Sequence, residues 1–236
     1  MEKLELLFDG NEKQVFATDV KDRVIFRYKD VATAYGGIKR AVLRRKGIVN
    51  CGISSIVFKH LNENGIHTHF VEMLNEREQV CRPIGIIPLN VTVRNYAAGT
   101  MARRLGLEDG MKLNQTVIEL YYNNDELRDP LINATHAVAL GIVTPQEIEQ
   151  IRIEALKANE LVSALFEKAG IRLFDLKLEF GRSCDGEIII SDEISPDTCR
   201  LRDIRTGEVL DKDRFRHDLG TVMDAYEYVF TLLNRL

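Results

Sequence analysis

The chain has 236 residues, of which 45% are hydrophobic and 29% are charged, and its formal net charge is −4. This length suffices for one large domain or for two lobes that share a core, and the composition is typical of a globular protein. Because the charge balance provides no overall basic field, we expect neither nucleic acid nor an anionic membrane surface as a partner.

The N-terminal segment and the cysteines indicate a cytoplasmic protein. The opening residues MEKLELLFDG lack the basic and then apolar layout of a signal peptide. No apolar run approaches the roughly 18 residues needed to span a bilayer. The four cysteines form no C-x-x-C pair and indicate neither a disulfide framework nor a zinc site. A reducing cytoplasm is therefore the expected location.

Short strands and one helix are predicted in the first quarter of the chain. KLELLF, QVFAT and RVIFRYK read as strands, and Asp9-Gly10-Asn11 is a turn signal between the first two. A helix is predicted over SSIVFKHLNEN, with Ser54 or Ser55 near its start and Gly65 at its C-terminal end.

The middle of the chain continues as strands with one short helix. IHTHFVEML, EQVCRPI and LNVTVRNYA are predicted strands, and TMARRLG is a predicted helix directly after Gly99. TVIELYY is a further strand, and NNDELRDPLIN is a polar loop.

A long helix is predicted over residues 145–169. Thr144 and Glu147 form the T-x-x-E pattern of a capping box, Pro145 suits the first helical position, and Gly170 ends the helix. A last helix is predicted from Asp213 to the C-terminus.

Strands therefore dominate early and long helices come late, which predicts an α+β fold with mostly antiparallel sheets. A boundary near residue 86 divides the chain into an N-terminal lobe, 1–86, and a second lobe, 87–236, that carries the C-terminal helices. No flexible linker marks this boundary, so the two lobes are expected to pack closely.

The segment DLKLEFG places an acid, a base and an acid on one strand face, namely Asp175, Lys177 and Glu179. A second acidic segment, EIIISDEISPDTCR, forms the returning arm of a hairpin. Like charges on paired strands repel, and a Mg²⁺ ion held by Glu179 and Asp192 would offset that cost. The alternative is a solvated strand face with ordinary charges, which the second acidic segment makes less favoured.

Two further segments have the residues of anion sites. In VRNYAAGTMARRLG, Arg94 lies on a strand, while Gly99 and Thr100 lie where a helix begins, so a phosphate can meet backbone N–H groups, a hydroxyl and a guanidinium. An ordinary strand-to-helix turn explains this pattern equally well. In FDGNEKQVF, a glycine turn precedes Lys13, which is a weak signal for nucleotide phosphates.

In this order, the segments of the chain resemble the SAICAR synthetase family over essentially the whole length. The resemblance depends on VRNYAAGTMARRLG, NNDELRDPLIN, DLKLEFG, SDEISPDTCRLRD and DKDRFRHDLG. It implies an ATP-dependent ligase of purine biosynthesis that joins the carboxylate of carboxyaminoimidazole ribonucleotide to the amine of L-aspartate. The products are SAICAR, ADP and phosphate, with an acyl phosphate as intermediate. The family fold holds ATP between sheets, and a homodimer is expected.

The resemblance also implies roles for individual residues. Glu179 and Asp192 would hold Mg²⁺ against the ATP phosphates, and Asp175, Lys177 and Glu179 would be the catalytic residues around the reacting carboxylate. The ribonucleotide would be bound by Arg94, Thr100, Asp197 and Arg200. The nucleotide would be bound by Lys13, Val15, Arg82 and Ile86. The segment NNDELRDP would help to shape the aspartate side.

The chain departs from the family pattern in the first hairpin and near residue 123. Asn11 stands where G-K-x-K has a lysine, Glu12 adds an acid beside it, and Asn123 replaces a frequent lysine. The loop Val31–Gly37 differs from the usual D-x-[ST]-A-x-[DN]-G, and Thr100 replaces a serine while keeping the hydroxyl. About two positive charges are therefore missing near the expected triphosphate, so ATP affinity is affected more than the class of reaction.

Two other functions remain as alternatives. A small-molecule kinase on the same kind of scaffold would also use D-x-K with a later acidic metal pair. A degenerate nucleotide-binding protein without turnover would explain the departures at Asn11, Glu12 and Asn123, although the retained metal carboxylates favour an enzyme.

Overall fold

The computed structural model describes residues 1–236, which form thirteen strands, six α-helices and one short 3-10 helix. The strands are β1 (Lys3–Asp9), β2 (Lys13–Thr18), β3 (Val24–Tyr28), β4 (Val31–Ala34), β5 (Lys39–Val42), β6 (Phe70–Asn75), β7 (Glu78–Cys81), β8 (Gly85–Tyr96), β9 (Lys112–Tyr122), β10 (Leu131–Ile132), β11 (Ile171–Arg182), β12 (Ile188–Ser191) and β13 (Cys199–Asp203). The helices are α1 (Lys46–Glu63), α2 (Gly99–Leu105), α3 (Ala134–Ala139), α4 (Pro145–Lys168), α5 (Asp213–Arg216) and α6 (Val222–Leu233), and the 3-10 helix is Asp125–Leu127.

Two antiparallel sheets organise the chain, as the α+β prediction required. The first has the order β1-β2-β3-β7-β6, and β4 and β5 form a separate hairpin. The second has the order β10-β9-β8-β11-β12, with β13 pairing the first half of β11. All the ladders between these strands are antiparallel, and sheet membership changes between Cys81 and Gly85. The predicted hairpin of β11 and β12 is present, with Glu179 opposite Ser191.

One continuous hydrophobic core of 36 buried residues lies between the second sheet and the helices. It contains the inner face of α4, the apolar residues of β8 and β11, and five side chains of α1, namely Val49, Ile53, Val57, Phe58 and Leu61. Leu176 and Leu178 alternate along β11 with Lys177 and are fully buried, because successive side chains of a strand point to opposite faces. Packing of the apolar face in the core therefore fixes the positions of the side chains on the polar face of this sheet.

Helix α4 begins and ends as its sequence predicts. The Thr144 hydroxyl accepts a hydrogen bond from the Glu147 N–H at 3.1 Å, and a Glu147 carboxylate oxygen accepts one from the Thr144 N–H at 2.7 Å. Pro145 takes the first helical position, and Gly170 follows the helix with a φ of 77°. The capping box is thus formed by both of its hydrogen bonds.

The predicted start of the first helix near Ser54 or Ser55 is wrong, because α1 begins at Lys46. Gly47 and Gly52 lie inside the helix, and both serve close packing. A Cβ on Gly47 would lie 2.6 Å from the Tyr28 carbonyl oxygen, and one on Gly52 would lie 2.5 Å from the Phe230 ring. The helix is buried on nearly every side here, so no polar stripe marks its first two turns.

The predicted single helix from Asp213 to the end is also wrong, because it is divided into α5 and α6. Between them Asp218, Gly220 and Thr221 have φ values of 54°, 71° and 46°. This left-handed backbone cannot continue a right-handed helix, and it turns α6 back onto α1. The strand predicted over IHTHFVEML begins only at Phe70, and the predicted polar loop NNDELRDPLIN contains the 3-10 helix and β10.

All four cysteines are free: Cys51, Cys81 and Cys199 are buried, and Cys184 is exposed in the turn between β11 and β12. No helix is both long enough and apolar enough to cross a membrane.

Candidate active site

The polar face of the second sheet forms the floor of the site. Strands β9, β8 and β11 are neighbours there, and their register places side chains in rows across the sheet. The rows are Tyr121–Asn90–Glu179, Glu119–Thr92–Lys177 and Val117–Arg94–Asp175. The period of two that puts Leu89, Val91 and Val93 in the core therefore aligns the polar residues of three strands.

A buried ion-pair network occupies one end of this floor. Arg94, which is only 3% exposed, contacts Asp175 at 2.6 Å and Glu119 at 2.6 Å. Arg200 on β13 contacts the same Asp175 oxygen at 2.8 Å. Two guanidinium groups are thus fixed in direction before any ligand arrives, which is the preorganisation that phosphate binding favours.

A cavity of about 160 Å³ opens over these guanidinium groups. Its lining includes six of the residues predicted for substrate binding and catalysis, namely Arg94, Thr100, Asp175, Lys177, Asp197 and Arg200. Gly99 begins α2 beside it with a φ of 57°, and a Cβ there would collide with the Arg200 guanidinium. A glycine is therefore required both by the backbone conformation and by the closeness of Arg200.

A larger cavity, of about 420 Å³, lies between the first sheet and the edge of the second. It is lined by all six residues predicted for the nucleotide and the metal, namely Lys13, Val15, Arg82, Ile86, Glu179 and Asp192. Leu7, Phe8, Val24 and Phe26 add apolar walls, and Asn123 also lines the cavity. Apolar walls with a few charged groups at one end suit a base with attached phosphates.

Lys177 connects the two cavities, and Lys13 is paired with acids beside it. The Lys177 ammonium lies 2.7 Å from a Glu179 oxygen and 3.7 Å from an Asp192 oxygen, although Lys177 itself lines the smaller cavity. Lys13 lies 2.5 Å from both Asp192 and Glu193. Asp192 has a φ of 64°, which is rare for a residue with a side chain and is typical of functional sites.

The electrostatics distinguish the two carboxylates of the candidate metal site. Burial opposes ionisation of Asp192, but the ammonium groups of Lys13 and Lys177 outweigh it and lower the pKa of Asp192 to about 2. Burial, together with the nearby Asp192 charge, raises the pKa of Glu179 despite Lys177. Asp192 is therefore charged at neutral pH, whereas Glu179 gains from an additional cation.

The donor set fits a hard divalent cation. Glu179 and Asp192 offer carboxylate oxygens to one cavity, as Mg²⁺ requires. A second group of acids, Glu12, Glu193 and Asp197, has ligand oxygens within 4.8 Å of one another. Each of these is already paired with a lysine: Lys212 with Glu12 at 2.6 Å, Lys13 with Glu193 at 2.5 Å, and Lys46 with Asp197 at 2.5 Å. These lysines balance their charge within the protein, as Lys177 and Lys13 do in part for Glu179 and Asp192.

Several site residues were not predicted from the sequence. Arg216 lines the smaller cavity, and Asp213 joins it to Arg200 through contacts of 2.6 Å and 2.8 Å. Both lie in DKDRFRHDLG, which supported the family resemblance but received no roles. Lys46 is only 1% exposed and holds Asp197 together with Tyr226, whose hydroxyl donates at 2.8 Å. Nothing in the sequence distinguishes this lysine from a surface one.

Known proteins resemble the chain over nearly its whole length. Residues 6–233 match the family model described as SAICAR synthetase. A phosphoribosylaminoimidazole-succinocarboxamide synthase of Clostridium botulinum (strain Eklund 17B / Type B) is 54% identical over 226 residues, 96% of either chain. The crystal structure of the synthase from Ehrlichia chaffeensis superposes with a TM-score of 0.95 at 44% identity, covering 98% of this chain and 99% of that one. A SAICAR synthetase in complex with ADP has a TM-score of 0.94 at 42% identity, covering 98% of both chains.

The two-sheet α+β fold, seen with its relatives, defines an enzyme of the ATP-dependent ligase class. Within that class, the chain belongs to the SAICAR synthetase family.

Proposed function

We propose that the chain is an ATP-dependent ligase that joins carboxyaminoimidazole ribonucleotide to L-aspartate in purine biosynthesis. The observation that supports it most is the meeting of two cavities at Lys177, one bordered by apolar walls and carboxylates and the other by arginines. Such an arrangement brings a nucleotide's terminal phosphate beside a substrate held by its own phosphate.

In the first step, a carboxylate oxygen of the ribonucleotide attacks the γ-phosphorus of ATP, and ADP leaves as the bond to the bridging oxygen breaks. We assign Lys13, Val15, Arg82 and Ile86 to the nucleotide, and Arg94, Thr100, Asp197 and Arg200 to the ribonucleotide. Mg²⁺ held by Glu179 and Asp192 would neutralise phosphate charge. Lys177 attracts and orients the reacting carboxylate, which the triphosphate would otherwise repel, while Asp175 faces it and holds Arg94 and Arg200 in place.

In the second step, the amine of L-aspartate attacks the acyl carbon, phosphate leaves, and the nitrogen loses a proton. The products are SAICAR, ADP and phosphate. The uncharged Asn11 and Asn123 weaken ATP binding in this scheme without changing the reaction, because the residues assigned to the carboxylate and the ribose phosphate are retained.

We also propose that the chain works as a cytoplasmic homodimer whose residues 1–86 form an ATP-binding lobe and whose residues 87–236 form the substrate lobe. The change of sheet between Cys81 and Gly85 supports a boundary at this position. The shared hydrophobic core supports lobes that do not separate.

The test is ADP release from the purified protein with MgATP and the ribonucleotide, with and without L-aspartate, with the product identified by mass. We expect ADP release that needs both substrates, with SAICAR formed in equal amount. ADP release that needs no amine would contradict the ligase and favour a kinase. A folded protein that binds MgATP but never turns over would contradict it in favour of a degenerate nucleotide-binding protein.

A further inference from the structure

The side-chain amide of Asn90 has no partner in the protein, although the residue is only 7% exposed. Its Oδ1 is one of three buried side-chain polar atoms without a hydrogen bond; the others belong to Asn50 and His69. None of the side-chain hydrogen bonds on the polar face of the sheet involves this amide. Leaving a buried amide unsatisfied costs stability, so its presence calls for a reason.

Asn90 lies between residues that line the two cavities, although it lines neither itself. On β8 it is opposite Glu179 of β11 on one side and Tyr121 of β9 on the other. Glu179 lines the larger cavity, whereas Tyr121 and the neighbouring Thr92 line the smaller one. Residue pairs in this register lie close together across a sheet, so a group bound between the cavities comes within reach of Asn90.

The charged acceptors on this face are already in use. Glu179 is paired with Lys177, Asp175 with Arg94 and Arg200, and Glu119 with Arg94. Donors for phosphates and carboxylates are plentiful here. A buried oxygen without a donor remains at Asn90, and it carries no charge.

We propose that Asn90 Oδ1 accepts a hydrogen bond from an amino group of a substrate at this junction. The proposal depends on the proposed function, which brings two amino groups there: the ring amine of the ribonucleotide and the amine of L-aspartate. An attacking amine must be neutral. A nearby carboxylate would favour the ammonium form, whereas an amide oxygen orients an N–H without adding charge.

Access to Oδ1 requires only a local movement. The atom is enclosed by protein in the ligand-free chain, and no hydrogen bond holds the amide in one orientation. A half-turn of the amide plane exchanges the positions of its oxygen and nitrogen and presents the oxygen to the junction. Binding of the substrate amine then gives Oδ1 the donor that it lacks in the ligand-free chain.

The experiment compares Asn90→Leu, which removes both polar atoms, with Asn90→Asp, which keeps an acceptor oxygen. In the wild type and both variants, apparent KM values are measured for L-aspartate, the ribonucleotide and MgATP. We expect Asn90→Leu to raise the KM of one amine-bearing substrate about tenfold, as expected for a lost hydrogen bond in a buried site. We expect Asn90→Asp to retain most of that affinity but to lower kcat if the bound group is the attacking amine, because its carboxylate favours the ammonium form.

Hydroxylamine distinguishes the two amines. This small nucleophile traps an acyl phosphate as a hydroxamate and releases phosphate, so it supports ADP release without L-aspartate. If Asn90 binds the aspartate amine, hydroxylamine-dependent ADP release is unchanged in Asn90→Leu. If it binds the ring amine, that release falls and the KM of the ribonucleotide rises instead.

The matched control is Asn95→Leu, the same change on the same strand. Asn95 points to the other face and exchanges hydrogen bonds of 3.0 Å and 2.9 Å with Asn159. We expect it to lower the melting temperature while leaving every KM unchanged. If Asn90→Leu does not fold, equal KM values in Asn90→Ala and the wild type overturn the proposal.

Unchanged KM values in a folded Asn90→Leu overturn the proposal, as does an effect confined to the Mg²⁺ requirement. An inactive wild type would instead contradict the proposed function itself, so the two failures are separable.

Discussion

Lys177 shows how a single side chain acquires its role from its surroundings. Burial alone would lower the pKa of its ammonium group, but the carboxylates of Glu179 and Asp192 outweigh burial and raise it. The lysine therefore stays charged at any pH at which the protein is folded and active. A permanent charge suits a residue that orients a carboxylate, and it excludes Lys177 as a general base at neutral pH.

The carboxylates assigned to Mg²⁺ give a residue-scale prediction. We expect Glu179→Gln and Asp192→Asn each to lower kcat at least 100-fold, since each removes an anionic ligand where phosphate charge must be neutralised. The fold should survive, because asparagine tolerates the positive φ of residue 192 and glutamine replaces a carboxylate whose pKa is already raised.

ADP release and far-UV circular dichroism check this prediction. Asp185→Asn, an exposed change in the turn of the same hairpin, is the control and should retain activity. Near-normal turnover in both site variants would contradict the metal assignment.

The missing lysine at position 123 gives a second residue-scale prediction. Asn123 lines the cavity assigned to ATP, so Asn123→Lys should lower the KM of MgATP about three- to tenfold by adding a charge near the triphosphate. Asn114→Lys adds the same charge at an exposed position of β9 and should change nothing. Equal KM values for the two variants would show that the lost charge is compensated elsewhere.

Sequence patterns predicted which residues line the two cavities better than they predicted the contacts between side chains. Of the ten predicted site residues other than Glu179 and Asp192, three have strand positions that follow from the alternation in DLKLEFG and VRNYAAG, namely Arg94, Asp175 and Lys177. Lys46, Asp213 and Arg216 were missed, because their importance comes from which carboxylates they meet after folding. A lysine at a buried helix start has no local signature, and only the tertiary structure brings it to Asp197.

Helix α4 is anchored to β11 by the side chain that also caps it. Glu147 contacts Arg182 at 2.6 Å while accepting the Thr144 N–H. The hydrogen bond from Arg182 outweighs the small cost of burial and lowers the pKa of Glu147 from its ordinary value of 4.5 to about 2. One residue therefore connects the start of the helix to the end of a central strand.

This contact makes an element-scale prediction about acid stability. Because the pKa of Glu147 is depressed by folding, its contribution is complete above about pH 4.5 and disappears as the pH falls through about 2. Glu147→Gln keeps a capping side chain but removes the charge, so it should lower the free energy of unfolding by about 0.5–1 kcal/mol at pH 7. Glu147→Ala should cost about 1 kcal/mol more by removing the cap.

Denaturant unfolding at pH 7, 4 and 2.5 measures these differences. The difference in the free energy of unfolding between the wild type and Glu147→Gln should decrease at the lowest pH. A gap that is independent of pH would show that the ion pair contributes nothing.

The helices also show where element prediction fails. The 145–169 helix was predicted within one residue, because its signals are local: a capping box, a proline and a glycine stop. The start of α1 was not predicted correctly. Gly47 and Gly52 lie within the helix, where they allow Tyr28 and Phe230 to pack closely. The division between α5 and α6 depends on positive φ values at Asp218 and Thr221. Neither residue type predicts a positive φ from the sequence.

The hydrophobic core makes the molecule a single cooperative unit. Its residues come from α1 before position 86 and from β8, α4, β11 and α6 after it. We therefore expect one unfolding transition, with far-UV circular dichroism and near-UV tyrosine signals that coincide at every denaturant concentration. Two separated transitions would show that the lobes fold independently.

A core mutation tests the same property. Val229→Ala in α6 removes two methyl groups from a fully buried position and should cost about 1–3 kcal/mol. The loss should appear equally in both spectroscopic signals, although α6 lies at the opposite end of the chain from the first sheet.

The turn between β11 and β12 also carries an exposed thiol at which a fluorescent probe can be attached. Three of the four thiols are buried, and burial raises their pKa, to about 12 for Cys51. Cys184 alone is open to solvent, at the tip of the hairpin whose arms carry Glu179 and Asp192. A maleimide dye should therefore label the natural chain at one position, without any engineered cysteine. Its fluorescence would report nucleotide binding in real time from outside the catalytic centre.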